Sequence, residues 1–402
     1  MISHDDNATA VGAWAEADAV LSRIAWPDDA PRVSLVGGAV RDALLGVRHG
    51  PDIDLVVEGD AIALARAVGL QLGGSVIAHA RFGTARIELP HGRHLDLVTA
   101  RRETYVRPGA LPDVEPGGLL DDLARRDFTV NAIAYVLHGG GTGGIIDPHD
   151  GRADITAHRI RAVRAGAFGE DPSRVVRALR YAARLGFCMD DATEAEARAA
   201  APTVDLRSSR VADEAARMLA EDSAAIALAL AQAVGVPWSD PDERRDDRLA
   251  ALSSALAQPG APAPAAWALR LGLGVRPGDV AAAAMAAWAR GLAADVRAGL
   301  ARAPELQGGL APSRLDALLH QMPPAAQVGA LVGGADAVAR WWADWRDMVP
   351  EVSGADLVAA GVAPGPAIGR ALRAVRAAML DGRASGRGEQ MAVALAEAGA
   401  YR

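Results

Sequence analysis

Lysine is absent from this 402-residue chain, so all 42 basic residues are arginine. A GC-rich coding bias produces that pattern as readily as phosphate recognition does, and it carries no functional reading by itself. Cysteine occurs once, at Cys188, which excludes an intramolecular disulfide framework and reads as a small apolar filler. Long apolar runs are missing. The longest, Ala224 to Val236, contains Gln232 and is too short to span a bilayer, so it is expected to be a buried helix. No charged segment followed by an apolar one opens the chain, and the expected setting is the cytoplasm with no membrane role. Positive charge is not in excess: 50 acidic against 42 basic residues give a net charge of −8 and a pI near 5.6. That balance excludes a surface coated for nonspecific nucleic-acid binding and confines any such contact to local patches.

What is present is a chain with 50% hydrophobic residues and a mean hydropathy of +0.09, enough to bury the cores of two or more domains. Residues 1–31 read as a polar, Ala-rich leader with one helix. From Val33 to Val136 short strands and helices alternate. The strands are expected at Val33 to Val36, Ile53 to Val57, Ser75 to His79, Thr84 to Leu89 and His94 to Thr99, with an amphipathic helix from Asp60 to Leu72. The segment Arg101 to Gly118 carries three prolines and three glycines without apolar periodicity and predicts a mobile loop. After Asp154 strand signals end, and Ala, Leu and Arg-rich helices broken by Gly/Pro stretches run to the end. No repeat of fixed period is present.

The chemistry concentrates at residues 35–57. Gly37-Gly38 follows a strand and opens a helix from Ala39 to Leu45. Without a Cβ the backbone there can approach a phosphate, the helix start offers N–H groups, and Arg41 adds a cation within reach. On the next strand, Asp52 and Asp54 alternate with Ile53, Leu55 and Val57 and so share one face, where two carboxylates can hold divalent metal. Taken singly, the glycines make an ordinary turn and the aspartates an ordinary solvated face; together they suit a nucleoside triphosphate held against a metal pair. Asp96, alternating with Leu95 and Leu97 on a neighbouring strand, reads equally as a third carboxylate or as a satisfied polar residue at a strand end.

This stretch resembles the active-site signature of the nucleotidyltransferase superfamily, in its tRNA nucleotidyltransferase and bacterial poly(A) polymerase branch. Further motifs follow in order. Arg125-Arg126-Asp127-Phe128-Thr129-Val130-Asn131-Ala132 resembles the ribose-binding motif, Asp147-Pro148-His149-Asp150-Gly151 the hinge, and Glu170-Asp171-Pro172-Ser173-Arg174 the base-reading motif. Ser353-Gly354-Ala355-Asp356-Leu357 through Leu380-Asp381-Gly382 is similar to the end of many bacterial members. The resemblance covers 33 to about 217 and 353 to 382.

The resemblance implies an α+β protein: a mixed-sheet head (32–150) after the leader (1–31), then an all-α neck (151–220), body (221–345) and tail (346–402). It implies two Mg2+ ions on Asp52 and Asp54, with Asp96 beside them. It assigns Asp127 to the sugar hydroxyls, with Arg126 and Asn131 beside it, although alone this pattern is also that of a capped, charge-paired helix with Asp127 and Asn131 on one face and Phe128 in the core. Asp171 and Pro172 make a helix start, as N-cap and first helical residue, and Arg174, Arg177, Arg180 and Arg184 follow on one cationic face. In the family the residues matching Asp171 and Arg174 pair with the incoming base, because a carboxylate accepts from the amino group of C or A while a guanidinium donates to ring acceptors. Arg177 is placed with them. Arg152, Arg159, Arg161, Arg164, Arg180 and Arg184 are the candidate RNA contacts.

The expected activity is addition or repair of the 3′-terminal CCA of tRNA from CTP and ATP, with pyrophosphate release and no protein partner. Partial-specificity enzymes adding only A, or only CC, are the alternatives; in the family, shortened loops at Arg101 to Gly118 go with CC-only addition, and this loop looks full-length. A bacterial poly(A) polymerase would carry a distinctive basic strand before the third carboxylate and usually a basic tail. A noncatalytic RNA-binding protein would be expected to lose the Asp52/Asp54 pair. His149-Asp150 does not mark a metal-dependent phosphohydrolase domain, since beyond His158 only His320 remains. The tryptophans read as helix-packing residues.

Overall fold

The computed structural model describes residues 4–104 and 113–399. The chain divides into two compact units, residues 1–204 with 233–237, and residues 205–232 with 238–402. The architecture is a mixed-sheet N-terminal region followed by helices, as the α+β expectation requires.

In the first unit, α1 (His4–Ala17) precedes a strand, a helix and an antiparallel return strand: β1 (Val33–Val36), α2 (Gly38–Leu45) and β2 (Asp52–Val57). Then come α3 (Ala61–Leu72), β3 (Ser75–His79), β4 (Thr84–Glu88) and β5 (His94–Thr99). Local chemistry explains the boundaries. Asp60 caps α3 by accepting from the amides of Ile62 and Ala63, and Gly73 ends it in the left-handed region. Leu64, Ala65, Val68 and Leu72 form the buried face of α3. In β2 the alternation leaves Asp52 and Asp54 outward and buries Ile53 and Leu55, after which Val56 and Val57 run through the core.

The hairpin of β6 (Arg101–Thr104) and β7 (Asp113–Pro116) follows, then α4 (Leu119–Ala124), β8 (Ala134–His138) and β9 (Ile145–Ile146). The seven-stranded sheet has the order β3-β4-β5-β2-β1-β8-β9. All its pairings are antiparallel except β2 with β5, which run parallel with Asp52 opposite His94 and Asp54 opposite Asp96. After the sheet come α5 (Gly151–Thr156), β10 (Arg159–Ile160), α6 (Ala167–Glu170), α7 (Ser173–Leu185), β11 (Cys188–Met189) and α8 (Asp191–Ala200).

Several expectations need correction. The loop predicted over Arg101 to Gly118 starts and ends as the antiparallel pair β6/β7, because Arg101–Thr104 and Asp113–Pro116 satisfy each other's backbone groups; residues 105–112 lie outside the described ones. Residues 125–131 are not an α-helix: Phe128 is extended, bridges to Ala162, and is followed by one 3-10 turn at Thr129–Asn131. Strand structure continues past Asp154 as the short parallel pair β10/β11. The helix expected from Pro172 with Asp171 as its N-cap begins one residue later, with Pro172 at the cap and the Asp171 carboxylate accepting from the Ser173 amide and hydroxyl. Cys188 is exposed and fills no core.

The second unit is helical. The apolar run expected to be buried forms helix Ala224–Val234, but only its Ala224, Ala227, Leu228, Ala231 and Val234 stripe is inside, and Ile226 is 58% exposed. Its longest helix, Ala287–Gln307, meets helix Pro324–Val332 backbone to backbone. A Cβ on Gly299 would come within 1.8 Å of the Ala326 carbonyl oxygen, and one on Gly329 within 1.9 Å of that of Val296. Trp341 and Trp342 are buried nearby, as expected of packing residues, whereas Trp288 is 55% exposed. Among the described residues, no helix is long and apolar enough to cross a membrane.

Candidate active site

The Gly-Gly turn is shaped by one residue that must be glycine. Gly37 has φ +71°, and a Cβ there would sit 3.0 Å from Arg126 Nη1 and 3.7 Å from Asp54 Oδ2. The turn thus faces both a guanidinium and a carboxylate. The amides of Gly38, Ala39 and Val40, in the first turn of α2, have no intrahelical acceptor.

Asp52 and Asp54 stand on the outward face of β2. The Asp52 carboxylate is 61% exposed and lies 2.9 Å from His94 Nε2. Asp54 has no side-chain hydrogen bond or ion pair among the described residues. Crowding by surrounding protein pushes its carboxyl pKa up, Arg126 opposes this, and Asp96 and Asp52 add to it. Its residue nevertheless keeps an exposed face, so solvent or a ligand reaches it. Asp96 sits directly across from Asp54, but both its oxygens are taken by Arg86, at 2.8 and 2.7 Å.

No three His, Cys, Asp or Glu side chains among the described residues converge as a ready-made metal cage. The donor set still fits a divalent cation: two outward carboxylates with hard oxygens, one of them unpaired among the described residues and raised in pKa by burial and then by like charge, beside a turn open to phosphate.

A continuous chain of contacts leads away from this point. Arg126 is held by Asp122 through Nε (3.2 Å) and Nη2 (3.0 Å), and its Nη1 donates to the Asn131 carbonyl oxygen (3.3 Å). Asn131 Oδ1 accepts from Arg41 Nη1 (2.6 Å), and its Nδ2 donates to Asp127 Oδ1 (3.2 Å). Asp127 Oδ2 accepts from Arg177 Nε (2.7 Å) and lies 2.6 Å from its Nη2. Burial opposes ionisation of Asp127, but Arg177, Asn131 and the Phe128 amide outweigh it and hold its pKa at about 2.

Two expected roles change accordingly. Arg41 was expected as a phosphate cation. It is 1% exposed and bound to Asp42 and Asn131, so it lies beneath the turn, closed off from solvent, with Nη2 3.5 Å from where a Gly38 Cβ would be. Asp127 has all four acceptor positions filled, so a sugar hydroxyl would have to displace a donor.

On α7, Arg174 Nη2 donates to the Arg125 carbonyl oxygen (3.1 Å), while its Nη1 is buried without an acceptor among the described residues. Asp171 is half-buried at the start of the same helix. Arg180 is buried, which is a poor position for an RNA contact. It gathers with Arg41, Arg177 and Arg184 around the ring of Tyr181, at 4.6 to 5.5 Å from its centroid. Phe128 packs edge-on against the same ring at 5.9 Å. The other RNA candidates have acidic neighbours: Arg152 on Asp147, Arg161 on Asp154, Arg164 on Glu170, and Arg159 at 3.9 Å from Asp154 with its side chain 47% exposed.

Two site residues escaped sequence reasoning. Tyr181 could have been found, since arginines at positions −4, −1 and +3 on one helix surround it. His49 bridges the Asp42 carboxylate (2.7 Å) and the backbone carbonyl oxygen of Asp52 (2.5 Å), so both ring nitrogens donate. Burial alone would lower its pKa, and these bonds outweigh burial and raise it.

Residues 33–161 match the Poly A polymerase head domain family. A CC-adding tRNA nucleotidyltransferase from Deinococcus radiodurans is 35% identical over 354 residues, which are 88% of this chain and 85% of that protein. An A-adding tRNA nucleotidyltransferase from Halalkalibacterium halodurans is 44% identical over 170 residues, and this chain spans only 40% of its length. The solved structure of a CCA-adding enzyme in an apo form superposes with a TM-score of 0.75 at 25% identity, covering 91% of each chain. The chain belongs to the tRNA nucleotidyltransferase family, within the nucleotidyltransferase superfamily. Divalent-metal use goes with that family.

Proposed function

We propose that the chain is a template-independent tRNA nucleotidyltransferase that builds or repairs the 3′-terminal CCA of tRNA from CTP and ATP, releasing pyrophosphate. One observation carries this reading: a carboxylate on β2 that is unpaired among the described residues faces the glycine turn, and hydrogen bonds run from that turn to α7, where Arg174 Nη1 lacks an acceptor among the same residues. The solved CCA-adding enzyme of matching fold supports it.

The triphosphate would lie against Gly37, Gly38 and the first amides of α2, with Arg126 alongside and Arg41 supplying positive potential from below. Asp52 and Asp54 would hold two Mg2+ ions, which when bound stabilise the charge developing on the attacking and leaving oxygens. Arg126, anchored on Asp122, orients phosphate beside Asp54. Arg174 Nη1 donates to the ring acceptor of C or A, and Asp171 accepts from the exocyclic amino group. UTP and GTP present the opposite groups and leave the buried Arg174 and the half-buried Asp171 without these contacts, at about 1 to 3 kcal/mol per lost contact. Arg177 acts on Asp127, coupling the sugar motif to the base motif. The tRNA 3′ end is the acceptor, Arg152, Arg159, Arg161, Arg164 and Arg184 are its candidate contacts, and the cytoplasm is the expected setting.

The test offers CTP and ATP, singly and together, to tRNA transcripts ending before the first C, after it, after the second C and at the terminal A. Completion to CCA and arrest there is expected. Arrest after the second C with both nucleotides would make the chain a CC-adding enzyme, addition only to transcripts ending in CC an A-adding one, and long A tails a poly(A) polymerase.

A further inference from the structure

The face of the sheet that bears Asp52 and Asp54 carries more acid than the proposed reaction uses. Strands β4, β5 and β2 align Arg86, Asp96 and Asp54 in one register row, and Glu88, His94 and Asp52 in the next. Residues in register project from the same face of a sheet, so four carboxylates share one surface, with Asp52, Asp54 and Asp96 at neighbouring positions on the central parallel pair and Glu88 out on β4. Like charges directly opposite each other are destabilising, and each row contains a basic group that relieves it. His94 Nε2 lies 2.9 Å from Asp52 Oδ1 and 4.0 Å from Asp96 Oδ2, a single-point contact at most. Arg86 does something different. Its Nε and Nη2 donate to the two separate oxygens of Asp96 at 2.8 and 2.7 Å, the two-pronged geometry that makes arginine–carboxylate pairs strong and directional. Asp54, across the parallel pairing from Asp96, has no such partner among the described residues.

We propose that Arg86 is a positioning residue that latches Asp96, so that the sheet offers a divalent cation two free carboxylates rather than three. This rests on the metal-dependent reading of the site given above. Divalent-cation affinity rises with the number of charged oxygen ligands, so a site reduced to Asp52 and Asp54 binds weakly by itself. It becomes a good site only when triphosphate oxygens join, and cation and nucleotide therefore load together. Arg86 is suited to this task because its side chain is 45% exposed, so the latch sits on the surface of the sheet and not in its core. Lysine, a point charge without the fork, would close the latch only partly.

The experiment measures Mn2+ binding to the full chain by the electron paramagnetic resonance signal of the free ion, with and without CTP. Circular dichroism and melting monitor the fold. Without nucleotide, Arg86→Gln should bind Mn2+ about tenfold tighter than the unaltered protein, and Arg86→Lys should fall between them. Combining Arg86→Gln with Asp96→Asn should restore the original weak binding, because the released carboxylate is then gone. Unchanged Mn2+ affinity in Arg86→Gln, or a tightening that survives Asp96→Asn, overturns the latch. Failure of the unaltered protein to take up Mn2+ even with CTP overturns the metal-dependent reading itself.

Discussion

Asp54 in the first unit and Asp316 in the second have opposite surroundings. Asp316 Oδ1 accepts from Trp341 Nε1 and Arg376 Nη2, each at 2.7 Å, and its Oδ2 accepts from Arg376 Nε at 2.9 Å. Arg376 also donates to the carbonyl oxygens of Trp345, Arg346 and Met348, where the turn containing the tryptophans ends. Burial works against the Asp316 charge, but Arg376 and Trp341 outweigh it, and its pKa is lowered. Asp54 is crowded too, yet its pKa is raised and no side chain among the described residues pairs with it. A carboxylate whose acceptors are filled from inside the fold is spent on holding helices together. One held near like charge with its acceptors open is costly to the apoprotein and is explained by something that binds.

That contrast can be broken in three ways. The largest expected effect is on catalysis: Asp54→Ala should lower nucleotide incorporation about a thousandfold, the several kcal/mol expected for losing a metal-binding carboxylate, while the melting temperature stays the same or rises. Incorporation near the unaltered rate in the purified variant would end the two-carboxylate assignment. Asp316→Ala should do the reverse. It leaves the half-buried Arg376 without its carboxylate partner and should cost about 2 kcal/mol of stability by denaturant titration at neutral pH, with CTP and ATP selection intact in the folded fraction. Because the Asp316 pKa is depressed on folding, its contribution is present above the ordinary aspartate value and is lost as pH falls through the folded value. The difference between variant and parent should therefore shrink below about pH 4. An undiminished gap at that pH would assign the cost to packing alone. The smallest effect is expected at Arg174, where the alanine variant should lose about tenfold in discrimination of CTP and ATP against UTP, with a stability loss of only about 1 kcal/mol from the Nη2 bond to the Arg125 carbonyl oxygen, since Nη1 has no acceptor to lose among the described residues. Unaltered discrimination would remove base reading from α7.

The sequence was most legible where local rules act alone. The alternation through β2, the Asp60 cap of α3 and the Gly37 turn all follow from neighbours within four residues, and strands β1 to β5 fall within one residue of their expected ends. Legibility failed where distant partners decide. Residues 125–131 have helical spacing, but Phe128 is drawn into a bridge with Ala162 and Asp127 is committed to Arg177, fifty positions away. Arg41 has the composition of a phosphate ligand and becomes an interior tether because Asn131 and Tyr181 surround it. The third carboxylate was recognised as a candidate, but its capture by Arg86 depends on the β4/β5 register, which no single strand reveals. The ends of the Arg101 to Gly118 segment pair as strands despite their prolines and glycines, since Pro116 closes a two-stranded edge and interrupts no ladder interior.

Cys188 follows α7 directly and is exposed on β11. Because the chain contains no second thiol, a maleimide dye attaches at that one position without any background substitutions. The helix carrying Arg174 and Arg177 therefore comes with its own fluorescent reporter site, and titrating each nucleoside triphosphate against the labelled protein reads the response of that helix separately from turnover.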